Sequence, residues 1–246
     1  MSDNSDGSCI VKHFESYAAL DEKDQQLLLS LEEGPREWPK NTPLWQQGDP
    51  SDSFYTLSKG WACSFRDLED GTRQVLDIYV PGDIVGLREF SFRKRITSVV
   101  MLSDAELCAF PRTHLDHIFS SSLVLCSVMF MITSRDQAIL LERLVNLGRR
   151  SARQKLAHFL AEISYRLQRT NTFVENHLSL PLTQSVLADA LGLSAVHVSR
   201  TFKEFREEGL LKTANAHLEL MDIKGLEAVA GFDEFYLESL VSESHL

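Results

Sequence analysis

Cysteine is scarce in this 246-residue chain: Cys9, Cys63, Cys108 and Cys126 stand far apart, with no CxxC pair. That excludes a disulfide scaffold and leaves no local iron–sulfur or zinc motif. The eight histidines are equally scattered, so no metal site is read. GxxxxGK[ST], HExxH and a nucleophile elbow are also missing, which argues against an enzyme and leaves no catalytic residue to name. Long apolar runs are lacking too: LVLCSVMFMI at 123–132 is too short to span a bilayer. The first ten residues, MSDNSDGSCI, are polar and acidic, unlike a signal peptide. The expectation is a cytoplasmic protein with no membrane partner.

What is present suits two modest globular domains, with 43% hydrophobic and 24% charged residues. The net charge of −10 is unevenly spread. Residues 1–134 hold 12 Lys/Arg against 20 Asp/Glu, residues 135–224 hold 13 against 10, and the last 22 residues hold five acids and no Lys/Arg. The basic excess therefore lies in the second half, where it can meet phosphate while the rest keeps the chain soluble.

Residues 1–13 read as a disordered polar N-terminus and 21–33 as a short helix. From 43 to 112, strand-like runs are separated by turns at Gly48-Asp49, Lys59-Gly60, Asp70-Gly71 and Pro81-Gly82-Asp83. That rhythm predicts a small antiparallel barrel or sandwich, with a hairpin at Asp70-Gly71 and a short helical turn near Leu87–Phe90. Helical spacing then takes over. Leu123, Cys126, Phe130, Thr133, Gln137, Leu140, Leu144 and Leu147 follow at alternating steps of three and four, a heptad seam. It fits a two-stranded contact between protomers, with Val128, Met131 and Leu141 facing the barrel; the alternative is a helix packed only on its own barrel. Gly148-Arg149-Arg150 and a capping Ser151 predict a hinge. A second amphipathic helix and a polar linker follow.

The segment 182–211, LTQSVLADALGLSAVHVSRTFKEFREEGLL, reads as two short helices around a glycine turn. Thr183 caps the first, whose inward residues are Val186, Leu187, Ala190 and Leu191; Ser194 caps the second, with Val198, Phe202 and Phe205 inward. Gly192 supplies the positive φ of the turn. Ala195, Val196, His197, Ser199, Arg200 and Lys203 face outward, short or cationic groups suited to a major groove. An ordinary helical hairpin has the same spacing. Residues 211–223 read as a two-stranded wing turning near Asn215, and 223–246 as a short helix with an acidic end.

The order of these parts, with GDPSDSFYTLSKG, the PGD-I-V-G stretch at 81–86 and SRTFKEFREEGLL, resembles the CRP/FNR family of bacterial transcription regulators over roughly residues 14–225. The resemblance implies an α+β chain: a cyclic-nucleotide-binding-like antiparallel β-barrel of double-stranded β-helix type (14–120), a long dimerisation helix and hinge (121–148), a winged helix-turn-helix (149–225) and an acidic extension (226–246). It implies a homodimer on two-fold symmetric double-stranded DNA, RNA polymerase as a partner and a small-molecule effector in the barrel.

The family's cyclic AMP chemistry is only partly matched. Gly86 and Arg95 match the family's glycine and arginine, but the carboxylate position is Leu87, with Glu89 nearby. Ile96 follows the arginine where a small hydroxylated residue is usual, with Thr97 next; Ala138 and Ile139 stand where a polar pair would read adenine. Apolar groups in a site built for polar contacts lower affinity steeply. The expectation is an effector other than cyclic AMP, or none, and the cofactor stays unknown. The Arg88, Arg93, Lys94, Arg95 cluster suits another anion or a solvated loop. In the DNA-reading helix, Arg200 matches the family's guanine-reading arginine and Ser199 the hydroxylated neighbour, whereas Val196 replaces the usual glutamate. Thr183, Gln184 and Ser194 complete the expected DNA face. The rival reading is a ligand- or redox-sensing barrel that regulates a protein partner.

Overall fold

A computed structural model describes residues 8–169, 178–214 and 217–238. The chain opens with two short helices, α1 (Cys9–Glu15) and α2 (Glu22–Leu31). The predicted disordered stretch 1–13 is corrected at its end, because Ser8 caps α1 and Ile10, Val11 and Phe14 are buried. Seven residues following an acidic stretch carry little periodicity. Their apolar side is covered by Leu28 of α2, Phe54 and Phe110, contacts distant in sequence.

Eight antiparallel strands follow: β1 (Pro35–Trp38), β2 (Pro43–Trp45), β3 (Ser53–Lys59), β4 (Ala62–Asp67), β5 (Arg73–Tyr79), β6 (Ile84–Val85), β7 (Ser98–Met101) and β8 (Ala105–Pro111). They form two four-stranded sheets, ordered β1-β8-β3-β6 and β2-β7-β4-β5. β1 precedes the predicted strand region. It is four residues long, largely exposed and begins with proline, which an edge strand tolerates. The predicted hairpin joins β4 to β5, with the Asp70 carboxylate accepting from the Thr72 N–H at 2.9 Å.

α3 (Leu115–Ser121) leads to α4 (Leu123–Arg149), which Ser122 caps. Leu125, Val128, Met129, Ile132 and Ile139 of α4 are buried, and Met131 is packed at the edge of the same core. The opposite face carries Leu123, Phe130, Gln137 and Leu144, spaced by sevens and all exposed; Phe130 is 75% exposed. Cys126, Thr133, Leu140 and Leu147, the second row of the seam, are half-buried. Leu141, predicted to face the barrel, is 57% exposed and instead widens the outer stripe. The full 27-residue helix, unlike 123–132 alone, is long and apolar enough to cross a membrane by length and composition. Its Asp136 and Arg143, however, are spent in ion pairs with the barrel.

Gly148 lies inside α4, and the break comes at Arg150, the last residue of the predicted Gly148-Arg149-Arg150 hinge, where the backbone turns extended. Ser151 accepts from the Gln154 N–H at 3.3 Å and starts α5 (Ala152–Arg169). Beyond it lie β9 (Leu178–Leu180), α6 (Gln184–Leu191), α7 (Ala195–Glu207), β10 (Leu211–Ala214), β11 (His217–Leu220) and α8 (Ile223–Ala230). β9, β10 and β11 form a small sheet ordered β10-β11-β9. The predicted wing turn at Asn215 lies outside the described residues. A boundary at 225/226 cuts α8 in half. The chain after α8 also belongs to this domain, since Leu237 is buried and Phe232 and Tyr236 pack around His158 of α5.

One apolar core joins the halves. Cys63, Phe65 and Val75 on the outer face of the β4–β5 sheet pack with Phe159 of α5 and with Leu187 and Leu191 of α6. The Gln74 side-chain amide donates to the Asp189 carbonyl at 2.8 Å. Burial in this seam pushes the Cys63 thiol up to about 12, leaving it an uncharged packing group.

Candidate nucleic-acid interface and effector site

Local chemistry fixes α6 and α7. The Val186 N–H donates to Thr183 Oγ1 at 3.2 Å, and the His197 N–H donates to Ser194 Oγ at 3.3 Å. Gly192 between them has φ 58°, a left-handed conformation that costs any side chain with a Cβ. Val198, Thr201, Phe202 and Phe205 bury one side of α7, and Ala188 of α6 is buried in the same core.

The structure brings every predicted DNA-facing residue to the surface: Thr183, Gln184, Ser194, Ala195, Val196, His197, Ser199, Arg200 and Lys203 are all exposed. Val196 is 76% exposed, high for a branched apolar side chain with no fold partner. Among the described residues, Arg200 and Lys203 meet only loose ion pairs one turn on, Arg200 Nε to Glu204 at 3.9 Å and Lys203 Nζ to Glu207 at 3.8 Å. Such exposed pairs give way readily to a phosphate or a base edge.

The effector residues divide into two groups. Gly86, Glu89, Arg95 and Thr97 come together. Gly86 has φ 93°, and a Cβ built there would stand 2.9 Å from both Arg95 Nη1 and the Trp45 ring. Arg95 is buried, stacks 3.8 Å over the Trp45 ring, pairs with Glu89 at 3.6 Å and donates to the Ser53 carbonyl. Glu89 also accepts from the Thr97 N–H at 3.0 Å and from its hydroxyl at 2.8 Å. Glu89 is thus an anion beside Arg95, at a distance that leaves Arg95 Nε and Nη1 without a hydrogen-bond partner, and Arg95 and Trp45 fill the space above Gly86. Ile96 is 44% exposed and stands apart, while Leu87 is buried in the core with α1 and α4.

Arg88 corrects both readings of the arginine cluster, since it is neither solvated nor free for an anion. It reaches Asp77 of β5 at 2.6 Å and Asp136 of α4 at 2.9 Å. Asp77, 1% exposed, also meets Arg143 of α4 at 2.7 Å and Arg166 of α5 at 3.6 Å. Burial alone would raise the Asp77 carboxyl; Arg143, Arg88 and Arg166 outweigh it and hold it well below the ordinary carboxylate range. Asp136 has fewer cations, and burial pushes it up. Glu162 of α5 accepts from Arg143 at 3.1 Å and from the Tyr236 hydroxyl at 3.1 Å, and Arg166 reaches Asp83. The network ties the barrel, the long helix and the C-terminal domain together. Half-buried Ala138 and buried Ile139 lie on the stretch of α4 between Asp136 and Arg143. Sequence reasoning missed this cluster because its members are dispersed from residue 77 to 236. The remaining cavity beside it, lined by His13, Asp77, Arg88 and Arg166 among others, is about 10 Å³, room for one water. Burial lowers His13 there to about 4.

Comparisons with known proteins bear on both halves. A family model for the cyclic nucleotide-binding domain matches residues 35–122, and one for the Crp-like helix-turn-helix domain matches 154–229. The chain is 29% identical over 225 residues to the transcriptional activatory protein AadR of Rhodopseudomonas palustris, covering 90% of this chain and 91% of that protein. It is 26% identical over 213 residues to the transcriptional activator protein FnrA of Stutzerimonas stutzeri, covering 87% of each. Among solved structures, FixK2 from Bradyrhizobium japonicum superposes with a TM-score of 0.72 at 22% identity, covering 80% of this chain and 96% of that one.

Proposed function

The chain belongs to the CRP/FNR family of transcription regulators, sequence-specific DNA-binding proteins and not enzymes, and from that premise we propose how this member works. It acts in the cytoplasm as a homodimer joined through α4, places one α7 in each half of a two-fold symmetric site, and responds to no cyclic AMP. The observation that carries the reading is the presence of two exposed surfaces on one chain. The outer face of α7 is short and cationic, and the outer face of α4 repeats Leu123, Phe130, Gln137 and Leu144 every seven residues. A parallel helix pair would cover the second and set two copies of the first apart for successive turns of one DNA groove.

Arg200 reads a guanine in each half-site, and Val196 favours a thymine methyl where a glutamate would accept from cytosine. The activator names of the relatives support recruitment of RNA polymerase. Against cyclic AMP stands the occupied centre above Gly86: a cyclic phosphate would have to displace Glu89 from Arg95 and move Trp45. The barrel is coupled to α4 and α5 by side chains of the chain itself, through the Asp77 network, a link that either constitutive binding or an effector other than cyclic AMP would use.

The test is selection of bound duplexes from a random pool, with and without 1 mM cyclic AMP, that concentration being about that of a weak millimolar ligand. The expected product is a symmetric site with a guanine in each half, unchanged by the nucleotide. Equal binding to scrambled DNA at physiological salt overturns the specificity, and selection that needs cyclic AMP overturns the effector reading.

A further inference from the structure

The C-terminal end of the recognition helix α7 carries charges of the wrong sign. Glu204, Glu207 and Glu208 sit where the helix dipole already concentrates negative potential, on an element that must approach phosphates. Glu207 pairs with Lys203 one turn back, while Arg153, the second residue of α5 and three beyond the Arg150 break, meets Glu204 and Glu208. Its guanidinium reaches Glu208 Oε1 at 2.8 Å and Oε2 at 2.5 Å, a two-pronged contact, and Glu204 Oε2 at 3.6 Å. Its planar head also lies 4.9 Å from the centre of the buried Phe205 ring. The hydrogen bond from Arg153 lowers the Glu208 carboxyl below its ordinary value.

Glu204 is shared. Its other oxygen, Oε1, stands 3.9 Å from Arg200 Nε. Arg153 and Arg200 therefore compete for one carboxylate, and Arg153 is the closer. We propose that Arg153 is a positioning residue for DNA recognition. Held in place by Glu208, its guanidinium draws Glu204 toward α5 and away from Arg200, leaving the Arg200 guanidinium free for a base. Without Arg153, Glu204 closes on Arg200 as an ordinary one-turn ion pair and must be displaced whenever DNA binds.

The inference rests on Arg200 as a base reader, and the experiment separates the two. The probe is a fluorescein-labelled duplex that the unmodified full-length protein selects from a random pool, read by anisotropy. R153A is expected to weaken binding about three- to tenfold, the range of one or two exposed ion pairs. Adding E204Q to R153A restores binding to within about twofold, because the competing charge is gone. The R153A defect shrinks as salt rises from about 50 to 300 mM, since an exposed pair is screened. In an R200A background, R153A has no further effect. R153A binding like the unmodified protein, or a loss that E204Q leaves in place, overturns the proposal. R200A binding at full strength overturns the base-reader reading instead. A melting curve on each variant separates misfolding from lost binding, and E204Q rescue cannot come from a chain that fails to fold.

Discussion

Replacing Asp77 by asparagine removes one charge from the junction of barrel, long helix and DNA-binding domain. The carboxylate is 1% exposed and faces Arg88, Arg143 and Arg166. An amide there keeps the shape but turns a donor toward guanidinium donors. Breaking a buried ion pair costs about 3–5 kcal/mol. The lower end applies here, because Arg88 keeps Asp136, Arg143 keeps Glu162, and Arg166 keeps Asp83. In a chain of this size 1 kcal/mol moves the melting temperature by about 2–4 °C, so D77N should melt roughly 6–12 °C lower. D67N removes an exposed partner of Arg73, with side-chain exposures of 65% and 42%, and should stay within about 0.5 kcal/mol. The dependence on pH has a definite sign. A depressed folded-state pKa contributes stability that is present above the unfolded value near 4 and is lost as pH falls through the folded value. The gap between unmodified protein and D77N is therefore constant from about pH 5 to 8 and narrows in acid. Scanning calorimetry of both variants gives the answer; a D77N transition within about 1 kcal/mol of the unmodified protein at pH 7 would falsify the claim that Asp77 holds the junction.

Three further outcomes follow from the geometry. R200A should lose about 1–3 kcal/mol of specific binding and relax the preference at one base pair of each half-site, as read by competition with single-base variants of the selected duplex. L144E places a charge in the exposed α4 stripe, where Leu144 is 65% exposed, so the fold should survive while the dimer dissociates. Burying one leucine is worth about 1.5–3 kcal/mol and symmetry counts it twice, so dissociation should rise at least about a hundredfold by sedimentation. G192A should cost about 1–2 kcal/mol in chemical denaturation. The nearest atom to the added methyl, Leu147 Cδ2, lies at an ordinary 3.6 Å, so the cost is conformational; G192N should recover part of it.

Much of the helix-turn-helix was readable in advance because its determinants are local. Thr183 and Ser194 act within three residues of themselves, Gly192 within one turn, and the burial of Val198, Phe202 and Phe205 follows helical period. The Leu123–Phe130–Gln137–Leu144 row was readable for the same reason, although Leu141 was assigned to the wrong side. A helix that buries one face and exposes an apolar one does not announce where the first ends. Around Gly86 the sequence offered Arg95 and Glu89 by type, but neither the contact between those two nor the Trp45 ring that Arg95 covers.

By itself the sequence determined the order of parts, the caps and turn of the DNA-reading helices, and the repeat along α4, since each depends on residues a few positions apart. Tertiary structure alone decided that Cys9–Glu15 is a buried helix, that Arg88 is spent on Asp77 and Asp136, and that Arg153 stands between Glu204 and Arg200. The reason is electrostatic. A charged residue reads the same in sequence whether it is solvated or buried, and only the fold brings in partners from distant segments that offset the cost of desolvation.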